Sequence, residues 1–425
     1  MSAERPGKRS RVPPAFESLA YLYGPADPGH RSVLVDAGDR WDPPPDLDPG
    51  LDVLVWGRLA RNIRPSPSAM PYVARRELAV ARVRARPPRG LRLAELHRLP
   101  PVSRPGRVRR AIRIIALGGI LAEFVRGDRP TRVIDAVALA AGAASLGRGL
   151  RPSGDGSALA RLDLDGSTQA ELRVAKVGHT KDPARGREAL LALAAADVAL
   201  VPKPLGGGIT AGAAWATESV MHGGHVHTLT PGLLEQVIDF LATLPAGPID
   251  RRAVDDQLAE VAAVFPEHAG DLARVAAAAA RWGASLPPVL VHGDMWLNNV
   301  FATDGRLSGV FDWDTWHPSG LPGTDLLNLL AAEERTAQRR DIGELLAADY
   351  WRSPEVVSAL RRYMDTRGIP APDAAGLAAV AVGWWASRVA GALHRANRAI
   401  DDPAWVRRNI VDGIAKIDTL ERELG

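Results

Sequence analysis

His292, Gly293 and Asp294 follow a short apolar run, Pro288–Val291, and Asn299 comes five residues after Asp294. Thirteen residues later Asp312 ends a second apolar stretch, Val310-Phe311, and Asp314 follows after one tryptophan. Read physically, one strand delivers His292 and Asp294 to a loop, Asn299 opens the next strand, and a further strand presents Asp312 at its polar end. This set matches what transfer of a phosphoryl group from ATP asks of a protein. That chemistry needs a carboxylate to orient a hydroxyl and take its proton, and hard oxygen ligands to hold Mg²⁺ between phosphates. Asp294 fits the first task, and Asn299 and Asp312 fit the second. Given the composition, a His, an Asp two later and an Asn five beyond that arise together by chance roughly 0.01 times. A set of unrelated loop polars is therefore a poor account of them.

In its catalytic and metal-strand motifs, HGDMWLNN and VFDWD, the chain resembles the aminoglycoside phosphotransferase and choline kinase branch of the protein-kinase-like superfamily. Gly293 stands where protein kinases usually carry arginine, which points to the small-molecule branch. The resemblance implies that Asp294 is the catalytic base, that Asn299 and Asp312 bind Mg²⁺, and that His292 braces the loop. Asn298 lies one residue short of the family spacing. Asp314 would touch substrate or a water on the metal, sharing a face with Asp312 if that strand continues. Leu321–Leu330 is similar to the family segment whose last Asp sits at a helix N-terminus and ties down the catalytic loop, so Asp325 takes a supporting role. Here that segment reads LPGTD in place of GDPxxD.

The same resemblance implies partners upstream. A strand lysine should contact the α- and β-phosphates and be held by a helix glutamate. Lys176, in Leu172–Val177, is one of five lysines in the chain, and Glu188 heads the helix that follows. A solvated strand lysine and a solvated helix glutamate are the plainer readings of the same residues. Gly154 and Gly156, in Pro152–Ser157, are candidates for a loop that lets backbone N–H groups approach phosphate, although the run is not G-x-G-x-x-G and an ordinary turn reads equally well. His222, His225 and His227 could hold zinc, but a polar loop explains them more simply.

The elements that must position these residues follow from periodicity. Residues 1–15 read as a disordered tail, and 16–140 as an accessory α/β region ending in a basic helical linker. Strand-like runs there are Ser32–Asp36, Leu51–Trp56 and Glu77–Val83. Residues 141–222 alternate like a small β-rich lobe around the helix Gly186–Ala196, with a hairpin across Pro204–Thr217. Residues 223–425 are mostly helical, interrupted by the strands that carry the motifs. The fold class expected is α+β: a two-lobed protein-kinase-like domain preceded by a small accessory α/β domain.

Composition narrows the function further. The chain has 425 residues and no cysteine, which excludes disulfides, thiolate metal sites and a cysteine nucleophile. No secretory leader is visible, and the charge-free stretch Ala374–Ser387 is short for a bilayer span, so a cytoplasmic protein is expected. Net charge is about +12 over residues 1–150 and about −8 over the rest. The acidic remainder would suit a cationic acceptor such as an aminoglycoside or choline, and sugars fit as well. No nucleic-acid-binding motif is present. Arg104–Arg113 leads into an Ile- and Leu-rich segment that could give a weak contact with a membrane surface, though packing on the next domain is preferred. The reading is an ATP- and Mg²⁺-dependent phosphotransferase acting on a hydroxyl of a small molecule. The alternative is a pseudokinase-type scaffold that binds a partner through its basic N-terminal region.

Overall fold

Alternation along two neighbouring strands sets the first of two units. Ala158, Ala160 and Leu162 on one strand, and Ala170, Leu172 and Val174 on the next, are buried, with Leu159, Glu171 and Arg173 less so between them. This is the period-two pattern of a half-buried sheet, broken only where Ala175 is buried as well. These observations come from a computed structural model that describes residues 21–22, 32–36, 52–58, 69–75, 78–84, 133–143, 145–152, 157–164, 169–178, 182–248, 252–338, 340–393, 400 and 402–424. The expected tail at 1–15, the Arg104–Arg113 segment, Gly154 and Gly156 lie outside the described residues.

The first unit comprises Met1–Pro183 and Leu205–Thr217. Its described residues form two sheets. Strands β1 (Ser32–Asp36), β2 (Asp52–Arg58), β3 (Ala69–Arg75) and β4 (Leu78–Arg84) form a sheet of order β1-β2-β4-β3, with β1 parallel to β2 and the other pairs antiparallel. The helix α1 (Val133–Ala140) precedes β5 (Ser145–Pro152), β6 (Ala158–Asp163) and β7 (Gln169–Lys176). With β8 (Pro204–Thr210) and β9 (Ala213–Ser219) these strands make a five-stranded sheet of order β5-β6-β7-β9-β8. Val133, Ile134 and Val137 of α1 pack with Leu162, Leu172 and Trp215 in its core. Strands β3 and β5 escaped the periodicity. Pro71 and a register shift interrupt β3, and Gly147, Gly149 and two shifts interrupt β5, so neither alternates cleanly.

The second unit comprises Ala184–Pro204 and Glu218–Gly425. Its helices are α2 (Pro183–Ala195), α3 (Pro231–Ala242), α4 (Arg252–Val264), α5 (Ala269–Trp282), α6 (Thr324–Gln338), α7 (Ile342–Ala347), α8 (Pro354–Arg367), α9 (Ala374–Leu393), α10 (Pro403–Val406) and α11 (Asp412–Leu424). Short strands carry the polar motifs: β10 (Gly224–His225), β12 (Val300–Thr303) and β13 (Arg306–Val310) form one ladder, and β11 (Val289–Val291) pairs with β14 (His317–Gly320). Helix α9 is the axis of the core. It runs six residues past the charge-free stretch, and at 20 residues it is long and apolar enough to cross a bilayer by length and composition. Its residues are nevertheless buried among α4, α5 and α6, with Trp384 and Trp385 fully covered, as in a core helix. It is the one such helix among the described residues.

Candidate active site

The loop after β11 is held from three sides within the second unit. Asp325, in the first turn of α6, accepts the backbone N–H of His292 at 2.6 Å and that of Gly293 at 2.9 Å. Burial pushes the Asp325 carboxyl above its usual range, while His292 and the two N–H donors pull the other way. Just past the end of β13, the carbonyl of Phe311 lies 2.9 Å from His292 Nε2, and the His292 ring packs 4.4 Å from that of Trp313. From α9, the Ser387 hydroxyl donates to the Gly293 carbonyl at 3.1 Å. A relay adds to this, in which Trp384 Nε1 donates to Asn328 Oδ1 and Asn328 Nδ2 donates to the Met295 carbonyl at 2.7 Å. The loop is thus fixed by buried groups whose hydrogen bonds cannot be exchanged for water without cost.

Gly293 has to be glycine. Its φ is +79°, and a Cβ there would lie 2.2 Å from the Thr315 carbonyl oxygen. The turn aims Asp294, whose carboxylate is 23% exposed and pairs through Oδ1 with Nη1 of Arg388 on α9. Asn299 is nearly fully buried, and its Nδ2 donates to the Asp294 carbonyl at 2.9 Å. That bond identifies and anchors the nitrogen end of the amide, leaving Oδ1 as the end able to ligate a cation.

Two details differ from the sequence reading. Asn299 does not begin a strand but closes a 3₁₀ turn, Leu297–Asn299, and β12 starts one residue later. Asp312 and Asp314 do not share a strand face. Asp312 adopts a left-handed conformation (φ +69°) that ends the strand run, and Asp314 lies in the 3₁₀ turn Trp313–Thr315. Asn299 and Asp312 are brought together because Phe311 N–H donates to the Asn299 carbonyl at 3.1 Å. Among the described residues no group of three or more His, Asp or Glu is disposed to hold a metal. One carboxylate and one amide oxygen fit Mg²⁺, which takes few protein ligands and fills its shell with phosphate and water.

Two further anticipated residues belong to other elements than this loop. Lys176 ends β7 in the first unit, exposed, with Nζ 5.7 Å from the centre of the Tyr21 ring. Glu188 is exposed on α2 in the second unit. Among the three histidines, His225 lies against Phe301, with Nδ1 2.8 Å from the Asn298 carbonyl oxygen. Arg388, Arg335, Asn328 and Ser387 lie outside the motifs legible in the sequence. One signal was available: Arg388 is the sole charged residue in α9.

The model of the phosphotransferase enzyme family, APH, matches residues 149–366, more than half of the chain. No curated protein sequence matches. Among solved structures, the aminoglycoside phosphotransferase APH(3'')-Id from Streptomyces rimosus is 18% identical, with a TM-score of 0.41 over 58% of this chain and 94% of that one. A thermostable mutant of the aminoglycoside phosphotransferase APH(4)-Ia is 16% identical, with a TM-score of 0.43 over 66% and 95%. The APH(2'')-IIa ternary complex is 15% identical, with a TM-score of 0.44 over 68% and 97%. With a family model matched over residues 149–366, a range that contains the loop His292–Asn299 and Asp312, the chain belongs to the phosphotransferase enzyme family, and its fold is of mixed α+β class.

Proposed function

We propose that the protein transfers the γ-phosphoryl group of ATP to a hydroxyl of a small molecule, with Asp294 as catalytic base. The observation that carries this is the Asp294 carboxylate, partly exposed at the tip of a loop whose backbone is tied by Asp325, Ser387 and Asn328. The acceptor oxygen bonds to the γ-phosphorus as the bond from that phosphorus to the β-bridging oxygen breaks. ADP leaves with the electron pair, and the hydroxyl proton passes to Asp294. In a loose transition state the proton moves late, so the chief task of Asp294 is to orient the hydroxyl. Mg²⁺, when bound, neutralises charge on the phosphates. Asn299 Oδ1 and the Asp312 carboxylate are the oxygens assigned to hold it.

In this reading Lys176 pairs with the α- and β-phosphates, Glu188 orients it, and Gly154 and Gly156 belong to the loop covering the phosphates. Residues 141–222 are assigned to a kinase-like N-lobe, 223–425 to a helical C-lobe and 16–140 to an accessory domain, in a cytoplasmic protein. Aminoglycoside-, choline- and sugar-like acceptors are all of the class this chemistry serves.

Asp294→Asn tests the assignment. It removes the base while keeping shape, and turnover should fall about 10²–10⁴-fold. Affinity for Mg–ATP, read by titration calorimetry, should change little. Turnover near that of the parent would remove Asp294 from its role. Nucleotide binding indifferent to Mg²⁺ in the parent would favour a pseudokinase-type scaffold.

A further inference from the structure

Arg388 is 8% exposed, and its Nη1 holds Oδ1 of Asp294. Its Nε is buried and has no hydrogen-bond partner. Arg335, half-buried on α6, is in the same condition: its Nε is buried and unpartnered. Burial, first, and then the nearby charge of Arg388 pull the Arg335 guanidinium below its usual range, with Asp341 and Asp294 acting in the opposite direction. Of those two carboxylates, Asp341 is already engaged, accepting Arg408 Nε at 2.7 Å and closing a capping box at the start of α7. Of the two carboxylates that act on Arg335, Asp294 is the one shared with Arg388, and it is the group assigned to the acceptor hydroxyl. Arg388 thus puts positive charge and an unused Nε–H beside the reacting position, with Arg335 adding to that charge, and all of these residues belong to the second unit.

A buried and a half-buried guanidinium group, each with an unpartnered Nε–H, are built for an oxyanion, which they can grip with charge-assisted, planar hydrogen bonds. A cationic acceptor would meet repulsion at the same place. From the Arg388–Asp294 pair and the unpartnered Nε of Arg388 and Arg335, we infer that the phosphoryl acceptor is an anionic small molecule whose carboxylate or phosphate binds these arginines while its hydroxyl meets Asp294. This rests on the phosphotransferase reading and narrows it. The negative charge of the C-terminal part as a whole, which would favour cations, is overridden locally.

Arg388 would also orient Asp294 without any substrate anion, so the test must separate the two roles. The full chain is saturated with Mg–ADP, which occupies the nucleotide phosphate site, and titrated with sodium sulfate by calorimetry. The parent should bind sulfate saturably, and Arg388→Met and Arg335→Met should each weaken it about 10-fold or more, the worth of one charged hydrogen bond. Arg335 does not contact Asp294 directly, so its variant stays informative if Arg388→Met fails to fold. Glucose, glucosamine, glucuronate and glucose 6-phosphate then compete against sulfate. Displacement by glucuronate or by glucose 6-phosphate, and not by the other two, supports the inference and tells carboxylate from phosphate. No saturable sulfate binding in the parent, equal binding in both variants, or displacement by glucosamine overturns it. Failure of Mg–ADP to bind in the first titration counts against the phosphotransferase reading instead.

Discussion

Gly293 shows how much of the site depends on single atoms. Any side chain there meets both a left-handed backbone and the Thr315 carbonyl 2.2 Å from its Cβ. Gly293→Ala should therefore lose about 1–3 kcal/mol from the backbone conformation alone, with more from displacement of Thr315. Denaturant unfolding reads the stability, and turnover should fall with it because Asp294 is the next residue. The residues proposed for catalysis and metal binding stand out in the sequence because Asp294, Asn299 and Asp312 span only 19 residues, so their spacing alone suggests that they act together. Arg388 does not, since 94 residues separate it from Asp294 and only packing brings them into contact. The visible clue was a lone charge in an apolar helix. Asn328 and Ser387 gave no comparable clue, because a buried amide or hydroxyl looks in sequence like any surface polar residue.

At the scale of elements, the close approach of α7 to the segment after α10 fixes the far side of the α9 core. A Cβ on Gly343 would come within 1.9 Å of the Arg408 carbonyl oxygen. Backbone cannot rotate away as a side chain can, so Gly343→Ala should destabilise the second unit by about 1–3 kcal/mol, as overpacking does. The shift should appear as a lower denaturant midpoint with an unchanged slope. Strands with clean alternation, such as β6 and β7, were visible in the sequence for the reason they are stable: one face is core. Strands β3 and β5 were not, because proline, glycines and bulges blur the period. The turn after β13 was misread because nothing in the local pattern requires Asp312 to turn left-handed.

For the molecule as a whole, buried tyrosines set the alkaline limit of stability. Burial, above all, pushes the Tyr363 hydroxyl up to about 12, and Tyr350, less enclosed, is raised to about 12 by burial and by Glu334 and Glu333. An unfolded tyrosine ionises near its ordinary value of about 10. Between the two values the unfolded chain has released its proton and the folded chain has not. The stabilisation is complete below pH 10 and is lost as pH rises toward 12. Tyr363 should account for up to about 3 kcal/mol of that loss, and Tyr350 for less because solvent screens it. Unfolding midpoints measured between pH 9 and 12 should fall steeply in the parent and less so in Tyr363→Phe.

The two units are interleaved along the chain, since Ala184–Pro204 belongs to the second while Leu205–Thr217 returns to the first. During synthesis from the N-terminus, β7 emerges well before β9, its neighbour in the finished sheet, so the first unit completes its sheet only when the hairpin β8–β9 has been made. Helix α2 is made in between, and its Ala189, Leu190 and Leu193 belong to a core that extends to Leu420. At cellular elongation rates of about 5–20 residues per second, the last residue of that core follows the helix by roughly 10 to 45 seconds. A nascent chain stalled beyond Thr217 therefore carries α2 with most of its core still unmade, and it is there that a holding chaperone has most to protect.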